Sequence, residues 1–142
     1  MRDTQLAALN ERFRDRRTCI KLLAHRAIDA GIGEIRSFSD VVPLLFPHTA
    51  YKSYPESFLT EAKWGRLSKW LETLSPYPIT PMDYSGIKDL DDWIAGLEAN
   101  GHYVSCSSGT TGKSAMLIAS AKDAAWWKQD VANVFSWGAG VA

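Results

Sequence analysis

The sequence predicts an α+β fold, mainly helical over residues 1–100, followed by a strand–loop–strand unit and one more helix. Three observations carry this reading. Apolar residues recur at helical spacing in several segments before Gly101. Alternating, β-forming residues begin at His102. A polar run of Ser, Thr and Gly then separates that segment from a second short apolar one.

Over residues 3–30, Leu6, Leu9, Phe13, Ile20, Leu23 or Ala24, and Ala27 share one stripe. The pattern is one long amphipathic helix or two in tandem, stopped by Gly31-Ile32-Gly33. Arg12, Arg14, Arg16 and Arg17 suggest a phosphate patch, but Glu11 and Asp15 interleave with them, as on a solvated helix face. Ser37 or Ser39 caps a short helix over 40–45, which ends before Pro47. Residues 48–55 are polar, aromatic and unperiodic, and read as a connecting loop.

Pro55 opens the next helix at its first position, with Trp64, Leu67, Trp70, Leu71 and Leu74 as its apolar stripe. Prolines at 76, 78 and 81 break regular structure after it. A further helix carries Ile87, Leu90, Trp93, Ile94 and Leu97 and ends in Asn100-Gly101, a left-handed cap pair. Trp64, Trp70 and Trp93 have the chemistry of a stacking platform, but their places on apolar stripes assign them to the core. Residues 102–106 read as a strand and 115–119 as a second short apolar element. Ser120 opens the last helix, with Asp123 three positions on as a variant capping box, and with Trp127, Val131, Val134 and Phe135 on one side.

Sixteen basic and sixteen acidic residues leave a formal charge of zero, which weighs against a nucleic-acid partner. No apolar run approaches the length of about eighteen residues that a membrane span needs. The polar start lacks the apolar core of a secretory signal, and Cys19 and Cys106 fit no metal spacing, so free thiols in the cytoplasm are expected. His25, His48 and His102 are scattered and expected to be structural, and no metal-ligating set is assigned. Cys106 has no recognisable activating neighbour and reads as a strand thiol. No Gly-x-Ser-x-Gly elbow surrounds Ser107 or Ser108.

One segment carries chemistry. Within Ser107-Ser108-Gly109-Thr110-Thr111-Gly112-Lys113, Gly109 and Gly112 let backbone N–H groups approach an anion with no Cβ in the way. The hydroxyls of Ser107, Ser108, Thr110 and Thr111 add donors, and Lys113 adds a compact positive charge suited to phosphate. Such clusters also build ordinary hairpin turns. Gly112-Lys113-Ser114 matches the end of a Walker loop, but its first glycine would fall on Ser107, and only five apolar residues precede a fresh cap at Ser120.

The same seven residues resemble the Ser/Thr-Ser-Gly-Thr-Thr-Gly-Lys phosphate loop of the adenylate-forming superfamily, which includes acyl-CoA synthetases, luciferases and peptide-synthetase adenylation domains. Phe46-Pro47 and Tyr54-Pro55 look like the linker of its phenylacetate-CoA ligase and acyl-protein synthetase branch. Ser114 and Ala115 stand where many members continue Pro-Lys, a departure that this branch shares. The resemblance covers residues 103–142 and implies part of an adenylate-forming fold. It implies an AMP-forming ligase that activates a carboxylic acid with ATP and Mg2+ for transfer to a thiol, with coenzyme A as a possible acceptor. Ser107 to Lys113 would bind the ATP phosphates, and no catalytic residue is assigned. The adenine, ribose and metal motifs and the late catalytic lysine of such enzymes lie downstream of this loop. The chain is therefore expected to be a partial N-terminal domain (1–100 helical, 101–142 phosphate-loop unit), inactive alone, with apolar stripes exposed. The alternatives are a small P-loop-like nucleotide-binding protein and a helical interaction module without catalysis.

Overall fold

Ile20 splits the first helical segment in two. The structure, a computed structural model, describes residues 2–107 and 113–138, with side chains described over 3–107 and 113–134. Helix α1 spans Arg2–Cys19 and α2 spans Lys21–Asp29, and Ile20 between them is extended, with φ −94° and ψ 104°. Tandem helices are thus the observed arrangement. The bend brings both stripes to one cluster, in which Phe13, Ala27, Ile35 and Leu44 are buried.

Helix α2 stops at Gly31, as its sequence predicts. Gly31 takes φ +65°, its N–H bonds to the Ile28 carbonyl, and the Ile32 N–H reaches back to the Ala27 carbonyl at 2.8 Å. That pair of bonds is a Schellman motif, which satisfies carbonyls the helix end would otherwise strand. Asn10 ties α1 to the segment beyond it: its Oδ1 accepts the Ile35 N–H at 2.7 Å and its Nδ2 donates to the Ile35 carbonyl. Within the arginine cluster Arg12 and Arg14 are exposed, as on a solvated helix face, while Arg17 donates to the Gly33 carbonyl at 3.1 Å and lies over the Phe13 ring.

The short helix expected over 40–45 is a 3-10 helix, Phe38–Leu44, starting two residues earlier. Pro43 inside it offers no N–H for an α-helical ladder. Asp40 closes its start by accepting the Arg36 and Ser37 N–H groups, and these bonds hold its carboxyl below the usual range. A second 3-10 turn, Ala50–Lys52, lies in the predicted loop.

The single helix expected to open at Pro55 is two, and Pro55 precedes the first of them rather than opening it, since Glu56 is the N-cap. Helix α3 covers Ser57–Thr60 and α4 covers Trp64–Glu72, separated where Ala62 takes φ +49°. The Ala62 N–H bonds to Leu59 and the Lys63 N–H to Phe58, so this is the same motif as at Gly31, with alanine in the left-handed position. Nothing in the residue types flags it. Ala62→Gly is expected to stabilise the chain by about 0.5–1 kcal/mol, the left-handed penalty less the added freedom of glycine when unfolded. A higher urea midpoint at unchanged slope would show it.

Helix α5, Leu90–Ala99, starts at Asp89, whose carboxylate accepts the Asp92 N–H, so Ile87 precedes the helix rather than opening it. It ends at Gly101 with φ +79°. The main core lies between α4 and α5: Tyr54, Trp64, Leu67, Leu71, Ile79, Trp93 and Leu97 are buried, together with Val104 and Met116 from the strands. The indole of Trp93 donates to Ser68 Oγ at 3.0 Å, that of Trp64 to the Ile87 carbonyl, and that of Trp70 to Ser53 Oγ. Trp64 and Trp93 are buried in the core, as their spacing indicates, and Trp70 packs partly buried against it; all three indole N–H groups are satisfied.

Strands β1, His102–Cys106, and β2, Met116–Ser120, form a two-stranded antiparallel sheet. Helix α6, Ala121–Gly138, follows directly. The capping box read at Ser120 and Asp123 is present: Ser120 Oγ accepts the Asp123 N–H, and Asp123 Oδ2 accepts the Ser120 N–H. The fold is therefore α+β, helical first and then strand, loop, strand and helix. The stripe read on α6 is left uncovered among the described residues, with Trp127 at 72% exposure and Val134 at 68%; the side chain of Phe135 lies outside them. No helix among the described residues is long and apolar enough to cross a membrane.

Candidate functional site

The loop that carries the chemical signal hangs from a short, well-anchored hairpin. The register pairs His102 with Ser120, Val104 with Ile118 and Cys106 with Met116. Alternation then sends Val104 and Met116 into the main core, while Tyr103 and Leu117 face outward. One more rung closes the neck: the Ser107 N–H donates to the Ala115 carbonyl at 3.0 Å, and the Ala115 N–H returns to Ser107 Oγ at 2.8 Å. Ser107 is thus a strut of the loop's neck as well as a member of the motif. Ser108, Gly109, Thr110, Thr111 and Gly112 lie outside the described residues.

Lys113 re-enters the described chain on top of Tyr54. Its Nζ lies 4.6 Å from the centre of the Tyr54 ring and donates to the Tyr54 backbone carbonyl. The Tyr54 hydroxyl in turn donates to the Ser114 carbonyl at 2.9 Å. Tyr54 is wholly buried, and its ring meets that of Trp70 edge-on at 4.9 Å. Burial pushes its phenol above the usual range, with Cys106 and Glu56 adding to the shift, so the hydroxyl remains a donor well into alkaline solution. An ammonium has three donors, and the Tyr54 carbonyl takes one.

Comparison of the chain with family models, with curated proteins and with solved structures finds no match. The site therefore rests on its own chemistry.

The neighbouring candidates are structural. Cys106 is exposed as a residue, yet desolvation at its sulfur, and then the Asp91 carboxylate, push the thiol upward, the opposite of activation. His102 is buried and accepts the Thr80 N–H on Nε2. Among the described residues no group of three or more His, Cys, Asp or Glu side chains is placed to hold a metal ion.

Sequence reading missed Tyr54 as part of the site. It stands in a stretch read as a connecting loop, 60 positions before the Ser114 carbonyl it holds. The available signal is a single aromatic residue before proline, and that says nothing of its partner.

Proposed function

We propose that this chain supplies the ATP-phosphate-binding loop of an AMP-forming ligase that activates a carboxylic acid for transfer to a thiol such as coenzyme A. The observation that carries the reading is the motif's setting. Seven residues dense in hydroxyl, glycine and lysine stand between two antiparallel strands whose inward side chains are in the core. On this reading the hydroxyls of Ser108, Thr110 and Thr111 donate to phosphate oxygens, and Gly109 and Gly112 admit the phosphates to backbone N–H groups. Ser107 shapes the neck and Lys113 supplies the counter-charge. The loop's share of the chemistry is positioning and charge stabilisation of the triphosphate. Magnesium would arrive bound to phosphate oxygens of the nucleotide, as suits a hard cation.

The P-loop alternative is favoured less, because a Walker loop delivers its phosphates to a helix N-terminus directly after the lysine. Here β2 intervenes, and α6 begins only at Ala121. The interaction-module alternative has no use for a bound anion.

Inorganic triphosphate separates phosphate binding by this loop from the interaction-module alternative, while the β2 strand after Lys113 is what favours the ligase reading over a P-loop. In amide NMR, saturable shifts are expected at Ser107 and at 113–115, with a Kd on the order of 1 mM for a loop contacting phosphate alone. Lys113→Ala should weaken binding about tenfold or more, the worth of a charge-assisted hydrogen bond. Absence of shifts at those amides, or equal affinity in the variant, would overturn the proposal.

A further inference from the structure

We infer that Tyr54 is a positioning residue for this loop, setting the course of Lys113 and Ser114 without itself touching the phosphates. The inference rests on the phosphate-binding reading for its purpose, but its geometry stands independently. Three parts of one residue act on the loop's exit. The ring supports the Lys113 ammonium, the backbone carbonyl accepts a hydrogen bond from it, and the hydroxyl donates to the Ser114 carbonyl. All three contacts fall within two residues of the exit rung at Ala115.

Tyr54 is itself held from behind. Its ring packs on Trp70 of α4, and the indole N–H of Trp70 donates to Ser53 Oγ at 2.9 Å. Ser53 Oγ also donates to the Ala50 carbonyl at 2.8 Å, closing the 3-10 turn that precedes Tyr54. The loop's lysine is thus referenced to the rigid α4 core through a fully buried aromatic ring, in addition to the two strands. A flexible four-carbon stem makes a poor clamp unless something preorganises it, and a cation over an aromatic face beside a carbonyl does so without neutralising it. Glu56 and Cys106 are the groups that act electrostatically on the phenol, and neither replaces the hydroxyl bond to Ser114.

Tyr54→Phe removes only the hydroxyl, whereas Tyr54→Leu removes the ring as well; both keep the backbone carbonyl. Amide exchange in the full 142-residue chain without any ligand tests the geometry. In Tyr54→Phe the Ser107 and Ala115 amides should exchange about fivefold faster, the worth of one hydrogen bond, while Leu67, Leu71 and Trp93 keep their rates. Unchanged rates at Ser107 and Ala115, or equal acceleration throughout the core, would overturn the inference.

Titration with inorganic triphosphate tests the purpose. Tyr54→Phe should bind a few-fold more weakly than the parent chain and Tyr54→Leu about tenfold more weakly. Parent-like affinity in both variants would overturn the positioning role. If the parent chain itself binds no triphosphate, the phosphate-loop reading fails, and the exchange measurement alone then decides whether Tyr54 orders the loop.

Discussion

Trp93→Ala is expected to cost about 3–5 kcal/mol, the range for deleting a large buried aromatic side chain. Trp93 is fully buried at the centre of the α4–α5 core, and its indole N–H is bonded to Ser68 Oγ on α4. Truncation opens a cavity between the two helices and leaves the buried Ser68 hydroxyl without that partner. Since a domain of this size is held by about 5–15 kcal/mol in all, much of the margin disappears. Trp93→Phe keeps most of the volume and should cost about 1–2 kcal/mol, chiefly the lost hydrogen bond. Urea unfolding of the two variants checks both values. A loss below about 1 kcal/mol for Trp93→Ala would mean that the core does not depend on this packing.

The second large effect belongs to Asn10. Asn10→Ala is expected to cost about 2–4 kcal/mol, because it strands both the N–H and the carbonyl of Ile35, a residue only 4% exposed. An asparagine side chain matches the N–H and C=O of a single extended residue, and among the described residues no other bond serves those two groups. Asn10→Asp keeps the acceptor for the Ile35 N–H but loses the donor to its carbonyl. At neutral pH it also sets a buried carboxylate oxygen against the Ile35 carbonyl oxygen, so it should cost at least as much as alanine. Urea midpoints give the order directly, and a parent-like Asn10→Ala would show that water replaces the side chain at Ile35.

Asn10 illustrates what the sequence does not display. A polar residue on an amphipathic helix looks solvated until the chain 25 positions on is brought beside it. Features written in neighbouring residues were legible. The glycine stops at 31 and 101, the Ser120–Asp123 box and the change from helix to strand at His102 all depend on residues within one turn of each other. The break at Ala62 was not, because alanine is an ordinary helix former and takes the left-handed position only under the demands of its flanking helices. Spacing also placed Trp127 and Val131 on one face of a helix without showing what covers that face; in the structure both are exposed. For the site, the motif and its hairpin were readable from residues 102–120. Tyr54 was not, since its role comes from tertiary contact alone.

That contact bears on the order in which the chain acquires its parts. The hairpin neck joins residues eight apart, a closure that costs little entropy. The bonds from Tyr54 to Lys113 and Ser114 close loops of about 60 residues and form on a surface that exists only once α4 has docked. Strand pairing can therefore run ahead of loop geometry during folding. The placement of Lys113 and Ser114 on Tyr54 comes late, after the helical core is in place.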